Sequence, residues 1–509
     1  MLLHNARVIT MDPERPYAES VAIRDGRVFA VGGNDELSSL YGAATELVDC
    51  EGGTVVPGFN DAHCHPFALA ASLLSVDCSP RSAPDIAGIQ ERIRISAERT
   101  PEGRWIRAAN YDGFCISEKR PPNRWELDRV SPRHPVFMLH ATGQECVLNS
   151  FALRLAGITR DTADPPAGRI HRDPGSGEPN GVISGMDQRV KDAIPPLSEN
   201  ELEEGMKLVS RQYLSFGVTS LQDTSWTNGL RHWQAWRRLV GRGTDLPRIS
   251  MLAGTEALDD FSRAGLATGA GDSRLRVGGL KLALDESTGY AEPPQEDLNS
   301  LAIRAVEAGF QVAFHVSDVR MLRASLEAMG AVRRRTPGKS RRFRLEHCAI
   351  CPTGLLPRIR ASGALIVTQP SFLHRMELMS GGNGASGPGR WLYPFATLTR
   401  LGISVAFGSD APLATHDPLN AVFAASTRKA DGSRQGGTGE SVRVEDALRM
   451  HTLCGAYASL EEGDKGSITP GKLADIAVLD GDLRRLDPEL IPGLKVVRTI
   501  IGGRTVWEN

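Results

Sequence analysis

The chain has 509 residues, enough for a large barrel with a second domain beside it. Apolar residues make up 41% and charged residues 24%, as in ordinary soluble globular enzymes. The formal net charge of -2 gives no electrostatic basis for binding nucleic acid or an acidic membrane surface. No apolar run reaches the ~18 residues of a membrane span, so a membrane-embedded protein is excluded as well.

The beginning of the chain lacks the basic start and apolar core of a signal peptide, and we expect a strand there. The eight cysteines are scattered, which favours reduced thiols and a cytoplasmic location. Cys348 and Cys351 form a CxxC pair, but no thioredoxin-like context supports a redox role. The basic stretch from Arg333 to Arg344 is interpreted as a solvated loop, because the chain as a whole is nearly neutral.

Both ends of the chain are predicted to be rich in short strands. Asp25-Gly26 is a hairpin signal between two of them, and Gly502-Gly503 marks a turn near the other end. The predicted strands are Ala6–Met11, Ser20–Ile23, Arg27–Val31, Glu46–Asp49, Ala474–Leu479, Val496–Ile501 and Thr505–Trp507. Two all-β ends around a long middle predict one small β-sandwich built from both termini.

The middle of the chain alternates between strand and helix patterns, which is typical of a parallel sheet. Helices are predicted, for example, at Leu301–Ala308 and Met321–Met329. The eight predicted strands are Asp61–His65, Val218–Gln222, Ile249–Ala253, Val277–Leu284, Gln311–Val316, Arg344–His347, Leu365–Gln369 and Val405–Asp410. Eight such units predict an α/β protein with a closed (β/α)8 TIM barrel, and a doubly wound open sheet is the main alternative.

The interval between the first two strands is too long for a loop, so residues from about 75 to 205 are predicted to form an inserted subdomain. The expected domains are therefore 1–56 and 465–509 for the sandwich and 57–464 for the barrel with its insertion. Glycine-rich segments at Ser380–Gly389 and Gly432–Gly439 fit mobile lids and ordinary surface loops equally well.

Two histidines at the end of the first barrel strand are the central chemical signal. In Asp61-Ala-His63-Cys-His65 the histidines are two residues apart, so in a strand their side chains point the same way. Two imidazoles placed in this way can bind one metal ion. An HxH pattern alone is weak evidence, because two barrel-lining histidines can also be structural.

Lys281 lies within an apolar strand, where burial of a charged amine is costly. Its pKa should fall, which would make a neutral amine available for chemistry such as carbamate formation. Taken alone, a lysine that extends its amine to solvent from the strand end is the favoured interpretation.

Three further polar residues fall at strand ends. His315 ends the fifth strand, His347 ends the sixth and Asp410 ends the eighth. With His63, His65 and Lys281 they give six potential ligands, all expected at the C-terminal mouth where barrel enzymes build active sites. Their joint placement argues against six independent structural roles.

The chain resembles the amidohydrolase superfamily, and within it the subgroup called amidohydrolase family 3, which contains the N-substituted formamide deformylases. The resemblance runs nearly from end to end. It is carried by the motifs at Val56–His65, Asn149–Leu153, Arg344–His347, Gly408–Pro412 and Gly466–Asp475. It implies the barrel, the sandwich from both termini and the insertion after the first strand.

The resemblance also implies a metal centre. His63, His65 and Asp410 would hold the more buried ion, and His315 and His347 a second one. Lys281 would bridge the two as a carboxylated lysine, although some branches of the superfamily use one metal and no carbamate. Zinc is the expected metal, in one or two copies, because imidazole and carboxylate ligands suit it; other divalent ions also fit.

The expected reaction is hydrolysis of a C–N bond in a small amide, formamide or cyclic amide. A metal lowers the pKa of bound water and polarises the carbonyl, and Asp410 would act as general base and then as general acid. A deaminase or an isomerase at the same site is the alternative. A non-catalytic binding protein is disfavoured by the intact ligand set. The resemblance makes a homodimer the expected oligomeric state.

Five residues are candidates for substrate contact, and a structural role fits each of them at least as well. Gln144 replaces a histidine that the family often has, whereas His140 is retained. Asp285 follows the Lys281 strand, Trp226 follows the second strand, and Arg390 follows a glycine-rich loop and would suit a substrate carboxylate.

Overall fold

The structure is a computed structural model that describes the chain except for residues 41, 44, 166–167, 186–187, 284–292, 339–341, 374–390, 431–432 and 435–437. The described residues form two compact units. The first comprises Met1–His65 and the described residues from Ser210 onward, and the second comprises those from Pro66 to Val209. No helix of the described part is both long and apolar enough to cross a membrane.

The first unit contains a parallel eight-stranded sheet, whose strands we label β1 to β8. They are β1 Phe59–Cys64, β2 Val218–Asp223, β3 Arg248–Gly254, β4 Leu275–Leu282, β5 Val312–Val316, β6 Arg344–His347, β7 Leu365–Thr368 and β8 Val405–Phe407. The strands neighbour one another in strict chain order. A doubly wound sheet reverses its order at one point, so that alternative is wrong and the (β/α)8 barrel is confirmed.

Helices follow the barrel strands and cover the sheet with their apolar faces. In Val319–Arg335, the side chain of Asp318 caps the first turn by accepting from the amide of Met321 at 2.9 Å. The helices described in the first unit are Asn34–Leu37, Leu230–Gly241, Leu258–Arg263, Gln295–Glu307, Val319–Arg335, Leu356–Ser362, Phe395–Arg400, Pro418–Thr427, Val444–Met450 and Leu453–Ala458. Helix Glu199–Ser215 has residues in both units.

The basic stretch from Arg333 to Arg344 differs in part from the solvated loop that the sequence suggested: its first three arginines are exposed, and residues 339–341 lie outside the described part of the chain. Arg333, Arg334 and Arg335 form the last turn of a helix, where cations interact favourably with the helix dipole. Arg344 is fully buried in β6. The interpretation from net charge failed because it took no account of a buried carboxylate that pairs with Arg344 at 2.7 Å.

Two sheets built from both chain ends form a small sandwich. Asp25 and Gly26 have positive φ values of 52° and 75°, which is the backbone of a tight hairpin turn. One sheet has the order Arg27–Gly32, Ser20–Arg24, Leu2–His4, Leu47–Asp49, and the other Arg504–Glu508, Val496–Ile501, Ile476–Leu479, Thr54–Pro57, Arg7–Ile9, Tyr17–Ala18. Val21, Val55 and Ile476 lie in their shared apolar core.

The second unit is a mixed six-stranded sheet with helices. Val147 packs in one apolar cluster whereas its neighbours Cys146 and Leu148 pack in another, so this sheet buries both faces. The strand order is Arg169–Arg172, Pro179–Ser184, Glu145–Leu148, Val136–His140, Ile106–Tyr111, Val76–Asp77. The helices are Pro66–Leu73, Ile86–Arg99, Arg124–Asp128, Ser150–Leu155 and Gln188–Ala193.

One buried ion pair joins the barrel to the sandwich within the first unit. Arg248, at the start of β3, donates from Nε and Nη2 to the two carboxylate oxygens of Asp475 at 2.6 and 2.9 Å. The amide of Gly502 donates to the same carboxylate, and the amide of Gly58 donates to the carbonyl of Asp475. Asp475 therefore connects three segments of the unit, two through its carboxylate and one through its backbone carbonyl.

The first and last barrel strands are joined by the segment that follows β8. The amide of Asp410 donates to the carbonyl of His63 at 2.7 Å, and the amide of His65 donates to the carbonyl of Ala411 at 2.9 Å. A Cβ added at Gly408 would lie 2.5 Å from the backbone nitrogen of His63. Only glycine lets the two segments approach this closely.

Replacing Asp475 with asparagine should lower the free energy of unfolding by about 3–5 kcal/mol, because Arg248 would keep a buried charge without its carboxylate. Chemical denaturation measures the loss. Asp259→Asn is the control, since Asp259 pairs with Arg304 on the surface and a much smaller change is expected. Equal losses in the two variants would contradict this account.

Replacing Gly408 with alanine should lower the free energy of unfolding by about 1–3 kcal/mol, because the methyl group would force β8 away from His63. Gly241→Ala is the matched control, since nothing lies within 4 Å of the Cβ it would add at a helix end. Thermal and denaturant unfolding of both variants measure the difference. A Gly408→Ala protein as stable as the control would refute the close packing.

Candidate metal centre

Three side chains converge where the first and eighth strands meet. One ligand atom each of His63, His65 and Asp410 lie within 4.8 Å of one another. Nε2 of His65 is 2.9 Å and Nε2 of His63 is 3.5 Å from Oδ1 of Asp410. His63 is only 1% exposed, and its Nε2 makes no hydrogen bond to any described residue. A buried ring nitrogen without a partner is the kind of atom that a metal ion satisfies.

Two more histidines extend this cluster. The ring centroid of His347 lies 4.6 Å from that of His63 and 4.6 Å from that of His315. Nδ1 of His347 is 4.0 Å from Oδ2 of Asp410. The structure therefore brings together the imidazoles that the sequence placed at the ends of β1, β5 and β6.

The electrostatics of the cluster favour neutral imidazoles beside a carboxylate. Burial lowers the pKa of His63 well below its ordinary value, and the positive charge of Lys281 adds to the shift. Burial also lowers the pKa of His347 to about 3. Burial raises the pKa of Asp410, but the hydrogen bond with His65 and the nearby charges of His347, His65 and Lys281 together outweigh burial, so the pKa of this carboxyl is lowered overall. Neutral imidazole and ionised carboxylate are the forms that bind metal ions.

Lys281 lies in β4 with a side chain that is 2% exposed, rather than extending to solvent from a strand end. Its charge lowers the pKa of both His63 and His347, so it belongs to the same electrostatic environment. Imidazole nitrogens, a carboxylate and a buried lysine form a donor set that fits one or two divalent metal ions.

The histidines of the cluster are oriented by side chains that the sequence analysis missed. Nδ1 of His63 lies 2.5 Å from Oε2 of Glu346, and Nδ1 of His65 lies 3.0 Å from Oγ of Ser225. Nδ1 of His347 lies 3.0 Å from Oε1 of Gln369. In His63 and His65 the contact leaves Nε2 facing Asp410. In the sequence, one pattern could have indicated Glu346: the alternation Arg344-Leu-Glu346 places two opposite charges on the same face of a buried strand.

Asp410 is held by a network that begins at Asp61 of the first strand. The backbone amide and the hydroxyl of Ser409 donate to the two carboxylate oxygens of Asp61 at 2.9 and 2.5 Å, and Tyr213 donates at 3.2 Å. Asp410 itself has a φ of 58°, a left-handed conformation that aspartate tolerates better than most residues. The network therefore fixes both the backbone and the position of Asp410.

The five predicted substrate-contact residues do not come from one part of the structure. His140 and Gln144 belong to the second unit, where the ring of His140 packs 4.9 Å from that of Tyr111. Trp226 lies in the half-buried loop after β2. Asp285 and Arg390 fall outside the described residues.

Two other features of the sequence were also singled out, the glycine-rich segments and the CxxC pair. The glycine-rich segment 380–389 and half of segment 432–439, namely residues 432 and 435–437, lie outside the described residues. Cys348 and Cys351 are buried free thiols with their sulfur atoms 3.6 Å apart.

The chain is similar over nearly its full length to known hydrolases, both in sequence and in structure. The N-substituted formamide deformylase of Arthrobacter pascens is 28% identical over 539 aligned positions, which cover 100% of this chain and 98% of the relative. A crystal structure of an uncharacterized metal-dependent hydrolase from Pyrococcus horikoshii OT3 matches with a TM-score of 0.76 and 22% identity, covering 96% of this chain and 99% of that one.

The zinc complex of atrazine chlorohydrolase TrzN from Arthrobacter aurescens TC1 matches with a TM-score of 0.59 and 16% identity, covering 100% of this chain and 95% of that one. At these identities the two structures support the fold. The sequence profile of the amidohydrolase family matches residues 46–507, nearly the whole chain. The chain therefore belongs to the amidohydrolase family.

Proposed function

We propose that the chain hydrolyses a C–N bond in a small amide, formamide or cyclic amide. The observation that carries the proposal is the convergence of His63, His65 and Asp410 at the mouth of the barrel. Similarity over the full length to an N-substituted formamide deformylase supports the bond type and the substrate class.

We propose zinc as the metal, in one or two copies, with other divalent ions as substitutes. His63, His65 and Asp410 would hold the first ion, His315 and His347 the second, and a carboxylated Lys281 would bridge them. A bound divalent ion supplies Lewis acidity, which polarises a carbonyl and lowers the pKa of water. The imidazole and carboxylate donors support zinc, as does the zinc complex of a structural relative.

Asp410 is the proposed general base and general acid. It would take a proton from the attacking water and then give it to the leaving nitrogen, so that an amide yields a carboxylate and an amine. The lowered pKa of Asp410 keeps its carboxyl ionised, which is the form that can accept a proton. Its side chain is 6% exposed, so few other water molecules compete for the proton.

We further propose that His140, Gln144, Trp226, Asp285 and Arg390 contact the substrate. The proposed domain limits are 1–56 and 465–509 for the sandwich and 57–464 for the barrel with its insertion at about 75–205. A cytoplasmic homodimer that binds neither nucleic acid nor membranes is the proposed cellular form. The near-neutral charge supports the last point.

Asp410→Asn should lower kcat about 100- to 10,000-fold on any amide that the wild-type protein hydrolyses, because it removes both the proton acceptor and a metal ligand. The measurement is a panel of N-formyl, N-acyl and cyclic amides with elemental analysis of the bound metal. Fewer than one metal ion per wild-type chain, with no hydrolysis of the panel, would refute the proposed function. Ammonia release from an aminated heterocycle, without amide hydrolysis, would favour a deaminase.

Lys281→Ala should empty at least one metal position, and short carboxylates added to the protein should restore part of the activity. Lys465→Ala is the matched control, because Lys465 is also buried but pairs with Glu461 at 2.9 Å. Elemental analysis and rate measurements compare the two variants. Full metal content and full rate in Lys281→Ala would rule out the bridge.

A further inference from the structure

A buried ion pair on β6 lies directly behind His63 and has no part in the reaction proposed above. Arg344 donates from Nε to Oε1 of Glu346 at 2.7 Å and from Nη2 to Oε2 at 3.3 Å, and both residues are 0% exposed. We propose that Glu346 is a positioning residue that presents Nε2 of His63 to the metal, with Arg344 orienting Glu346. The inference rests on the proposed metal site.

The contact between Glu346 and His63 determines which ring nitrogen is free. Oε2 of Glu346 lies 2.5 Å from Nδ1 of His63, and a carboxylate oxygen can only accept a hydrogen bond. Nδ1 must therefore carry the proton, which leaves the lone pair on Nε2. Nε2 is the atom that faces Asp410 at 3.5 Å and has no hydrogen-bond partner among the described residues.

Arg344 holds Glu346 through a network that also reaches the strand of His63. Its Nη1 donates to the side chain of Gln222 at 2.6 Å, and its Nη2 donates to the backbone carbonyl of Ala62 at 2.8 Å. Ala62 directly precedes His63 in β1. One guanidinium thus fixes both the carboxylate behind the imidazole and the backbone that carries it.

A comparison with His65 and His347 shows how the contact at Nδ1 of His63 differs. His65 faces the hydroxyl of Ser225, and His347 faces the amide oxygen of Gln369, both through Nδ1 at 3.0 Å. Of these three, only His63 has a carboxylate within hydrogen-bond distance of its Nδ1. A carboxylate partner raises the basicity of the opposite ring nitrogen, so His63 should be the strongest donor of the three.

A structural role for the pair makes a different prediction from a positioning role. A buried ion pair that only supports the fold can be replaced as a whole by uncharged side chains with little loss. A carboxylate that positions a ligand cannot be replaced in this way, because His63 loses its acceptor whether or not Arg344 is present. Removing both charges therefore separates the two roles.

The experiment measures zinc affinity and unfolding of metal-free protein for the wild type, Glu346→Gln and the double variant Arg344→Met/Glu346→Gln. Zinc affinity is measured by competition with a chromogenic chelator. Both variants should bind zinc about 10- to 100-fold more weakly than the wild type. The double variant should recover stability relative to Glu346→Gln, because no charge is left buried alone, but it should not recover zinc affinity.

The matched control is the double variant Arg248→Met/Asp475→Asn, which removes a second buried arginine–carboxylate pair of the first unit. Its zinc affinity should equal that of the wild type even if its stability changes. Wild-type zinc affinity in Glu346→Gln, or in the Arg344/Glu346 double variant, would overturn the inference. If the wild-type protein itself binds no zinc, it is the proposed metal site that fails.

Discussion

Two backbone hydrogen bonds between the first barrel strand and the segment after the eighth determine where the candidate centre can form. They bring His63 and His65 beside Asp410, although the chain separates these residues by most of the barrel. The approach requires a glycine at position 408, because any side chain there would overlap His63. The contacts that close the barrel are therefore the same contacts that bring the proposed metal ligands together, and a change that weakens the closure should also disturb the ligands.

The interior of the barrel is polar where a stable fold would ordinarily be apolar. Asn60, Gln222, Arg344 and Glu346 are all buried there, and each forms hydrogen bonds with another member of the set. Such a network is costly unless its members are satisfied, but it holds its side chains in fixed positions. This polar layer lies directly beneath the imidazoles. There, a fixed orientation of the imidazole rings matters more for metal binding than additional apolar packing.

The sequence predicted the barrel and the residues at its mouth because both follow from local patterns. Alternation along a strand places His63 and His65 on the same side, and strand ends place His315, His347 and Asp410 near them. Glu346, Ser225 and Gln369 were not predicted, because their importance depends on which residue faces them across the barrel. Arg344 was misinterpreted for the same reason: its partner Glu346 was not recognised as buried, so a run of arginines suggested solvent exposure. A single sequence gives little information about which residues far apart in the chain contact each other in the fold.

The sandwich has a consequence for how this protein is synthesised. Thr54–Pro57, which leads into the first barrel strand, pairs on one side with Ile476–Leu479. The ribosome synthesises Thr54–Pro57 long before Ile476–Leu479. During most of translation the nascent chain therefore lacks the strand that pairs with this edge of Thr54–Pro57. Exposed edges can pair with other chains. Aggregation of unfinished or truncated chains is therefore a hazard built into this topology, and the last strands of the sandwich end it when they add to the sheet.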